Sequence, residues 1–171
     1  MLRLIVGTLA AAVLAAGPLG ADVVKLQPNA SVAVDVEGAT WVVVKYDLSG
    51  IPAGARILEA TLDWTVPGVD EEAFTEFSAR AATASWTETS VQGTGVPAAR
   101  EVLAAEWSIA PRDYERTGGL VRFRLRDLVR AWHSGSLANH GLVLEMAGLG
   151  AESLGSALGQ AVLAVHYRTA N

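Results

Sequence analysis

Apolar and polar residues alternate along much of the chain with the two-residue period of half-buried β-strands. The cleanest alternation covers residues 57–66, where Leu62 and Trp64 share an apolar face and Glu59 and Asp63 share a polar one. The same kind of pattern, interrupted by turn residues, predicts further strands at 31–37, 41–47, 74–84, 121–125, 142–146 and 161–167.

The stretch 120–146 changes from strand period to helix period and back. Leu125, Leu128, Val129 and Trp132 are spaced i, i+3, i+4 and i+7, which places one apolar stripe on a helix of about two turns. The spacing predicts a short helix at about residues 127–134, followed by a turn near Asn139 and another strand.

Many short strands separated by turn signals, with a single short helix, are typical of an all-β protein. We therefore predict an antiparallel β-sandwich of jelly-roll type. The stretch 87–111 has the least regular pattern, and we predict a long irregular segment there that contains one or two short strands.

The first 21 residues have the pattern of a signal peptide, with a basic Arg3, an apolar run at 4–16 and small residues before Asp22. We predict cleavage before Asp22, one β-sandwich domain at 22–171, and a secreted protein, extracellular or periplasmic. The apolar run is shorter than the roughly 20 residues of a membrane helix, so no integral span is expected in the mature chain. An uncleaved anchor is the alternative.

The formal net charge is −5, and loss of Arg3 makes it −6. This mild acidity argues against a nucleic-acid partner. The chain has no cysteine, so no disulfide can stabilise it even in an oxidising compartment.

Several segments, taken in order, match a known pattern: YDLSGIPAG at 46–54, ILEATL at 57–62, WTE at 86–88 and WHSGSLANHG at 132–141. Their order and spacing resemble the DNRLRE domains, which are secreted β-sandwich modules grouped with carbohydrate-binding modules. The resemblance implies a sandwich fold and a polysaccharide ligand.

Two tryptophans and a row of arginines are the candidate ligand-binding residues. The alternation of apolar and polar residues does not place Trp41 or Trp107 in the core. An exposed indole can stack on a sugar ring. Arg122, Arg124 and Arg126 are predicted to form an outward row with members about 7 Å apart. Such a row can meet uronate or sulfate groups of an acidic glycan.

The alternatives to these binding roles are structural. The tryptophans can be partly buried packing residues, and the arginines can form a solvated face whose charges are offset across the sheet by Glu59 or Asp63.

An acidic cluster at Asp70, Glu71 and Glu72 is a possible calcium site, although it lacks the spacing of a known calcium loop, and a solvated acidic turn is the alternative. No other cofactor or metal site is predicted. His133 and His140 flank the turn at 139, but zinc requires further ligands at fixed geometry.

The chain carries no recognisable catalytic motif, so we predict that it is not an enzyme. The preferred function is an exported, non-catalytic module that recognises a polysaccharide or another cell-surface component. The alternative is a structural or assembly protein of a surface or matrix complex, with possible self-association. A small polysaccharide hydrolase or lyase is a third hypothesis. The carboxylates of such enzymes come from separate strands and therefore leave no motif in the sequence.

Overall fold

A computed structural model describes residues 12–14, 21–65, 75–101, 104–109, 119–147 and 160–169 of the chain. These residues contain ten strands and two helices. In chain order the elements are β1 (Ala12–Leu14), β2 (Asp22–Leu26), β3 (Pro28–Val36), β4 (Ala39–Tyr46), β5 (Arg56–Thr65), β6 (Thr75–Ala81), α1 (Glu88–Thr94), β7 (Ala105–Ile109), β8 (Leu120–Arg124), α2 (Arg126–His133), β9 (Leu142–Ala147) and β10 (Val162–Arg168).

The strands form two antiparallel sheets. Sheet A has the order β1-β2-β10-β5-β8, and sheet B has the order β3-β4-β9-β6-β7. Without the outermost strands β1 and β3, four strands in each sheet follow the order of a jelly roll, in which the chain crosses repeatedly between the sheets. The predicted all-β sandwich of jelly-roll type is therefore confirmed. Strand β1 lies within the segment predicted to be a signal peptide.

The inward faces of the two sheets form one hydrophobic core. Along β5 the predicted alternation holds from Ala60 onward, because Ala60, Leu62 and Trp64 are buried while Glu59 and Thr65 are exposed. Each fully buried large side chain contributes about 1.5–3 kcal/mol to folding. Because the chain has no cysteine, no disulfide adds to the stability that this core supplies.

A second, smaller cluster lies on the outer face of sheet B. Helix α1 places Val91 against Val43 and Val143, and Val32 and Ala82 complete the buried set. The Trp86 Nε1 donates a hydrogen bond of 2.7 Å to the His140 carbonyl, which joins the residue before the 87–111 segment to the loop before β9. The prediction of a single helix is therefore wrong. Helix α1 has no apolar stripe, because Val91 is its one buried residue.

Helix α2 begins and ends one residue before its predicted bounds. Its buried residues Val129 and Trp132 join the main core together with Leu125, which precedes the helix. On another side, the Arg130 Nε and Nη2 donate hydrogen bonds of 2.9 and 2.8 Å to the Ile57 carbonyl. The helix is therefore fixed against the start of β5.

The segment after β4 is a compact turn that explains part of the YDLSGIPAG pattern. The Asp47 carboxylate accepts hydrogen bonds of 2.9 Å from the Ser49 amide and from the Ser49 hydroxyl. The backbone hydrogen bond is the largest cause that lowers the pKa of Asp47 below its ordinary value. Ile51 then turns into the core and is 4% exposed.

The loop between α2 and β9 is joined to the end of β4. The Asn139 Nδ2 donates to the Tyr46 carbonyl at 2.9 Å, and the Asn139 Oδ1 accepts from the Gly141 amide at 3.1 Å. Gly141 has a φ of +92°, and a Cβ at this position would collide with the Val44 carbonyl oxygen. Only glycine suits both conditions.

We expect Gly141→Ala to destabilise the protein by about 3 kcal/mol or more, because it adds a backbone collision to the cost of positive φ. Gly135→Ala is the matched control, since Gly135 has a φ of +74° with open space around it. The control should lose only about 1–2 kcal/mol. Urea unfolding of both variants measures the difference, and equal losses would show that the close approach to Val44 is unimportant.

Candidate functional site

Two of the three candidate arginines lie on the outer face of sheet A. Arg122 is directly opposite Asp63 across β8 and β5, and its Nε and Nη2 donate to the two carboxylate oxygens at 2.6 and 2.7 Å. This hydrogen bonding, followed by the charge of Asp63, raises the pKa of Arg122. Asp63 is thus the partner across the sheet, and Arg122 is held in a fixed orientation.

Arg124 lies on the same face, opposite Thr61 of β5. Its side chain is exposed, and within the described ranges it makes no ion pair. Its guanidinium is therefore available to a ligand.

Arg126 does not continue this row. Strand β8 ends at Arg124, and Arg126 is the first residue of α2. The reason is that the apolar stripe beginning at Leu125 turns the chain into a helix. The Arg126 Nε instead contacts the Asp127 Oδ1 at 3.1 Å. The predicted row of three arginines with strand spacing is wrong at its third member.

The structure nevertheless brings Arg124 and Arg126 together in a groove of about 430 Å³ between sheet A and α2, which we call the α2 groove. The described residues that line it belong to β5, β8 and α2 or directly precede β7 and α2: Leu58, Glu59, Ala60, Ala104, Arg124, Leu125, Arg126, Asp127 and Leu128. The groove therefore combines two guanidinium groups, two carboxylates and aliphatic side chains.

A local irregularity in β5 places Leu58 in the groove. Glu59 pairs with His166 and Ile57 pairs with Tyr167, so Leu58 has no partner on β10. This register shift brings Ile57 into the core at 2% exposure and leaves Leu58 half-buried at the groove. Alternation alone predicts Leu58 to face inward, so the sequence pattern misses this lining residue. Bulges of this kind are frequent beside binding sites.

Trp41 lies on the other sheet, at the outer face of sheet B. It is directly opposite Val34 on β3 and Glu145 on β9, and it packs against the second cluster. Glu145 also pairs with Arg80 at 3.0 Å. Trp41 and the arginines are separated by both sheets, so they do not form one site. Its partial burial fits the packing alternative.

Trp107 has its backbone in β7, opposite Phe77 of β6. Its side chain lies outside the part of the chain that the structure describes. The ligand-binding prediction for Trp107 therefore stays a prediction.

A second, shallow pocket of about 610 Å³ lies on the other side of α2. Its lining includes Arg56, Arg130 and His133. The Arg130 guanidinium there is already engaged by the Ile57 carbonyl. Arg56 is exposed and lies outside the α2 groove, which makes it a useful reference residue.

The acidic cluster at Asp70, Glu71 and Glu72 lies outside the described residues, so the calcium prediction stays open. Among the residues that the structure does describe, no group of three or more histidine, aspartate or glutamate side chains is arranged to hold a metal ion.

Comparison with known protein families finds none that matches this chain, and comparison with curated proteins finds no similar sequence. The resemblance to the DNRLRE domains therefore stays a prediction. Within the described ranges, neither helix has the length and apolar character needed to cross a membrane.

The geometry of the Arg122–Asp63 pair leads to a prediction about its energy. Side-chain exposures of 48% and 32% leave the pair open to solvent screening. We expect a coupling energy of about 1 kcal/mol or less in a double-mutant cycle of Arg122→Gln and Asp63→Asn. Repeating the unfolding measurements at about 1 M salt should reduce it further. A coupling that exceeds about 2 kcal/mol and ignores salt would contradict this view.

Proposed function

We propose that the protein is an exported, non-catalytic module that binds a polysaccharide through the α2 groove and the adjoining outer face of sheet A. The observation that carries the proposal is the composition of the groove. Arg124 and Arg126 face it together with Glu59 and Asp127, and Leu58 contributes an aliphatic surface.

These groups suit the chemistry of a sugar. A hydroxyl group both donates and accepts hydrogen bonds, whereas a guanidinium only donates and a carboxylate only accepts. A groove that offers both kinds of group can satisfy adjacent hydroxyls of one ring, and Leu58 and Leu128 can contact its C–H surface. The polar groups are carried by β5, β8 and α2, and such regular elements hold a site more precisely than loops do.

The outer face of sheet A offers a path for more than one sugar ring. Lys25, Ala164, Thr61 and Arg124 are consecutive neighbours across β2, β10, β5 and β8. Three strand spacings make this row about 14 Å long. The small side chains at its centre leave room for an extended chain, and Arg124 joins the row to the α2 groove.

Exposure of the groove carboxylates favours binding over hydrolysis. A glycosidase needs a general acid whose carboxyl is kept protonated, which burial in an apolar site achieves. The Asp127 side chain is 79% exposed and lies 3.1 Å from Arg126 and 3.5 Å from Arg130. A carboxylate in this position is suited to accepting hydrogen bonds from a ligand.

A specific observation also supports assembly as a second candidate. Strand β3 is nine residues long and lies at the edge of sheet B, where β4 is its only partner among the described strands. Such an edge can accept a strand from another molecule. If this function holds, sedimentation should show a mass that rises with protein concentration.

Substitution of the groove arginines tests the polysaccharide proposal. We expect Arg124→Gln and Arg126→Gln each to raise the Kd for the bound polysaccharide by about tenfold, because each removes charge-assisted hydrogen bonds. Affinity electrophoresis against a panel of polysaccharides identifies the ligand, and titration calorimetry measures the Kd. Arg56→Gln is the matched control, since it removes the same charge on the other side of α2 and should leave the Kd unchanged.

Arg124→Gln is the sharper variant, because Arg124 has no described ion pair whose loss would alter folding. Thermal unfolding should confirm that its stability is unchanged. Retention of no polysaccharide by the wild-type protein, or equal losses in Arg56→Gln and Arg124→Gln, would refute the proposal.

A further inference from the structure

The charges of the described side chains around the α2 groove are balanced. Arg122 is neutralised by Asp63 on the neighbouring strand, and Arg126 contacts Asp127 on the next residue of α2. Arg124 shares the groove lining with Glu59. Two of these three arginines are therefore paired with a carboxylate, and the third shares the groove lining with one. Among the described residues that line the groove, two side chains are positive and two are negative, so their charges cancel.

We propose that the ligand of this site is a neutral polysaccharide, in which hydroxyl groups make the polar contacts. This inference rests on the proposed function and narrows it to a class of ligand. The same arginines, considered along the sequence alone, suit an acidic glycan equally well. The carboxylates that Arg122 and Arg126 contact in the fold favour the neutral class.

An acidic sugar is disfavoured by the carboxylates that Arg122 and Arg126 already contact. A uronate or sulfate that binds the Nε and Nη2 donors of Arg122 displaces Asp63, and the freed carboxylate then lies beside a second negative charge. In the α2 groove the same ligand meets Glu59 and Asp127. The Asp63 oxygens already occupy Nε and Nη2, which form one of the two edges of the Arg122 guanidinium that can bind a carboxylate bidentately.

A neutral sugar avoids this conflict. Its hydroxyls can accept from Arg124 and donate to Glu59, so both side chains gain a partner and no charge is left unpaired. Lys25 is the one cation at the far end of the outer-face row, and β10 and β5 separate it from Arg124. One lysine at that distance gives little attraction for a polyanion in physiological salt, because the Debye length is about 8 Å.

The first experiment compares neutral and acidic polysaccharides with the wild-type protein. The probes are neutral glucan, mannan, xylan and galactan chains and, of similar length, a polyuronate and a sulfated galactan. We expect at least one neutral chain to bind with a Kd that changes by less than about twofold between low salt and about 1 M NaCl. The acidic chains should bind at least about tenfold more weakly.

The outcomes distinguish the two levels of the proposal. Binding of acidic chains alone, with affinity that falls steeply in salt, overturns the neutral-ligand inference and leaves polysaccharide binding standing. Binding of neither class overturns the proposed function itself.

A second experiment changes the charge balance of the α2 groove directly. Glu59→Gln combined with Asp127→Asn removes both groove carboxylates while keeping side-chain size. We expect this double variant to bind the polyuronate at least about tenfold more tightly than wild type does, and to bind the neutral chain more weakly. Unfolding midpoints identify any variant whose fold is damaged. In that case Glu59→Gln alone, which leaves α2 unaltered, should move both affinities in the same directions.

The control is Glu76→Gln combined with Glu88→Gln, which removes two exposed carboxylates from β6 and α1. Its overall charge equals that of the groove variant. An equal gain in polyuronate binding by the control would show that net charge decides the preference, and would overturn the inference. A gain confined to the groove variant supports it.

Discussion

The close contact between the loop at 139–141 and the end of β4 is the constraint on which the rest of the sandwich depends. Gly141 lies against the Val44 carbonyl, and the next residue, Leu142, pairs with Val44 as the first residue of β9. Strand β9 is the middle strand of sheet B, with β4 on one side and β6 on the other. The Asn139 side chain donates a hydrogen bond to the Tyr46 carbonyl and accepts one from the Gly141 amide. The point where β9 enters the sheet is therefore set by two hydrogen bonds and one residue without a side chain. A one-residue slip there would turn every core residue of β9 outward.

Helix α2 connects this constraint to the candidate site. The loop at 139–141 follows α2 closely, and Arg130 holds the other side of the helix to the Ile57 carbonyl. Val129 and Trp132 face the core, whereas Arg126 and Asp127 are exposed at the groove. One short helix therefore contributes to core packing and presents polar side chains, so the geometry of the groove and the stability of the fold are coupled. Substitutions on its polar side can be read as binding effects only when unfolding is measured in parallel.

The limits of sequence-based prediction follow from how far each pattern extends. Strand β5 and helix α2 are predictable because several residues repeat one period, as in Ala60, Leu62 and Trp64. Helix α1 is not, because a single buried valine cannot define a stripe. The position of Leu58 depends on a register shift against β10, which is a relation between distant strands that local alternation does not contain.

Arg126 shows a competition between two periods: the arginines continue the strand spacing, but burial of Leu125, Val129 and Trp132 stabilises a helix. The partner of Arg122 is likewise set by pairing across strands, which leaves Glu59 and Asp63 as alternatives until the register is known.

The balance of charge at the groove has a consequence for how recognition would work. The chain is acidic overall, with a net charge of −5, while the described side chains that line the groove carry no net charge. Long-range attraction therefore does little to guide a ligand to this surface, and affinity has to come from short-range hydrogen bonds and apolar contact. Individual contacts of this kind on an open face are weak, because water competes for each polar group.

A repeating polymer compensates by offering the same group many times, so that each release is followed by rebinding of a neighbouring unit at high effective concentration. A shallow, charge-balanced face is therefore better suited to a long, repetitive ligand than to a small molecule, which would need an enclosed pocket to bind as tightly.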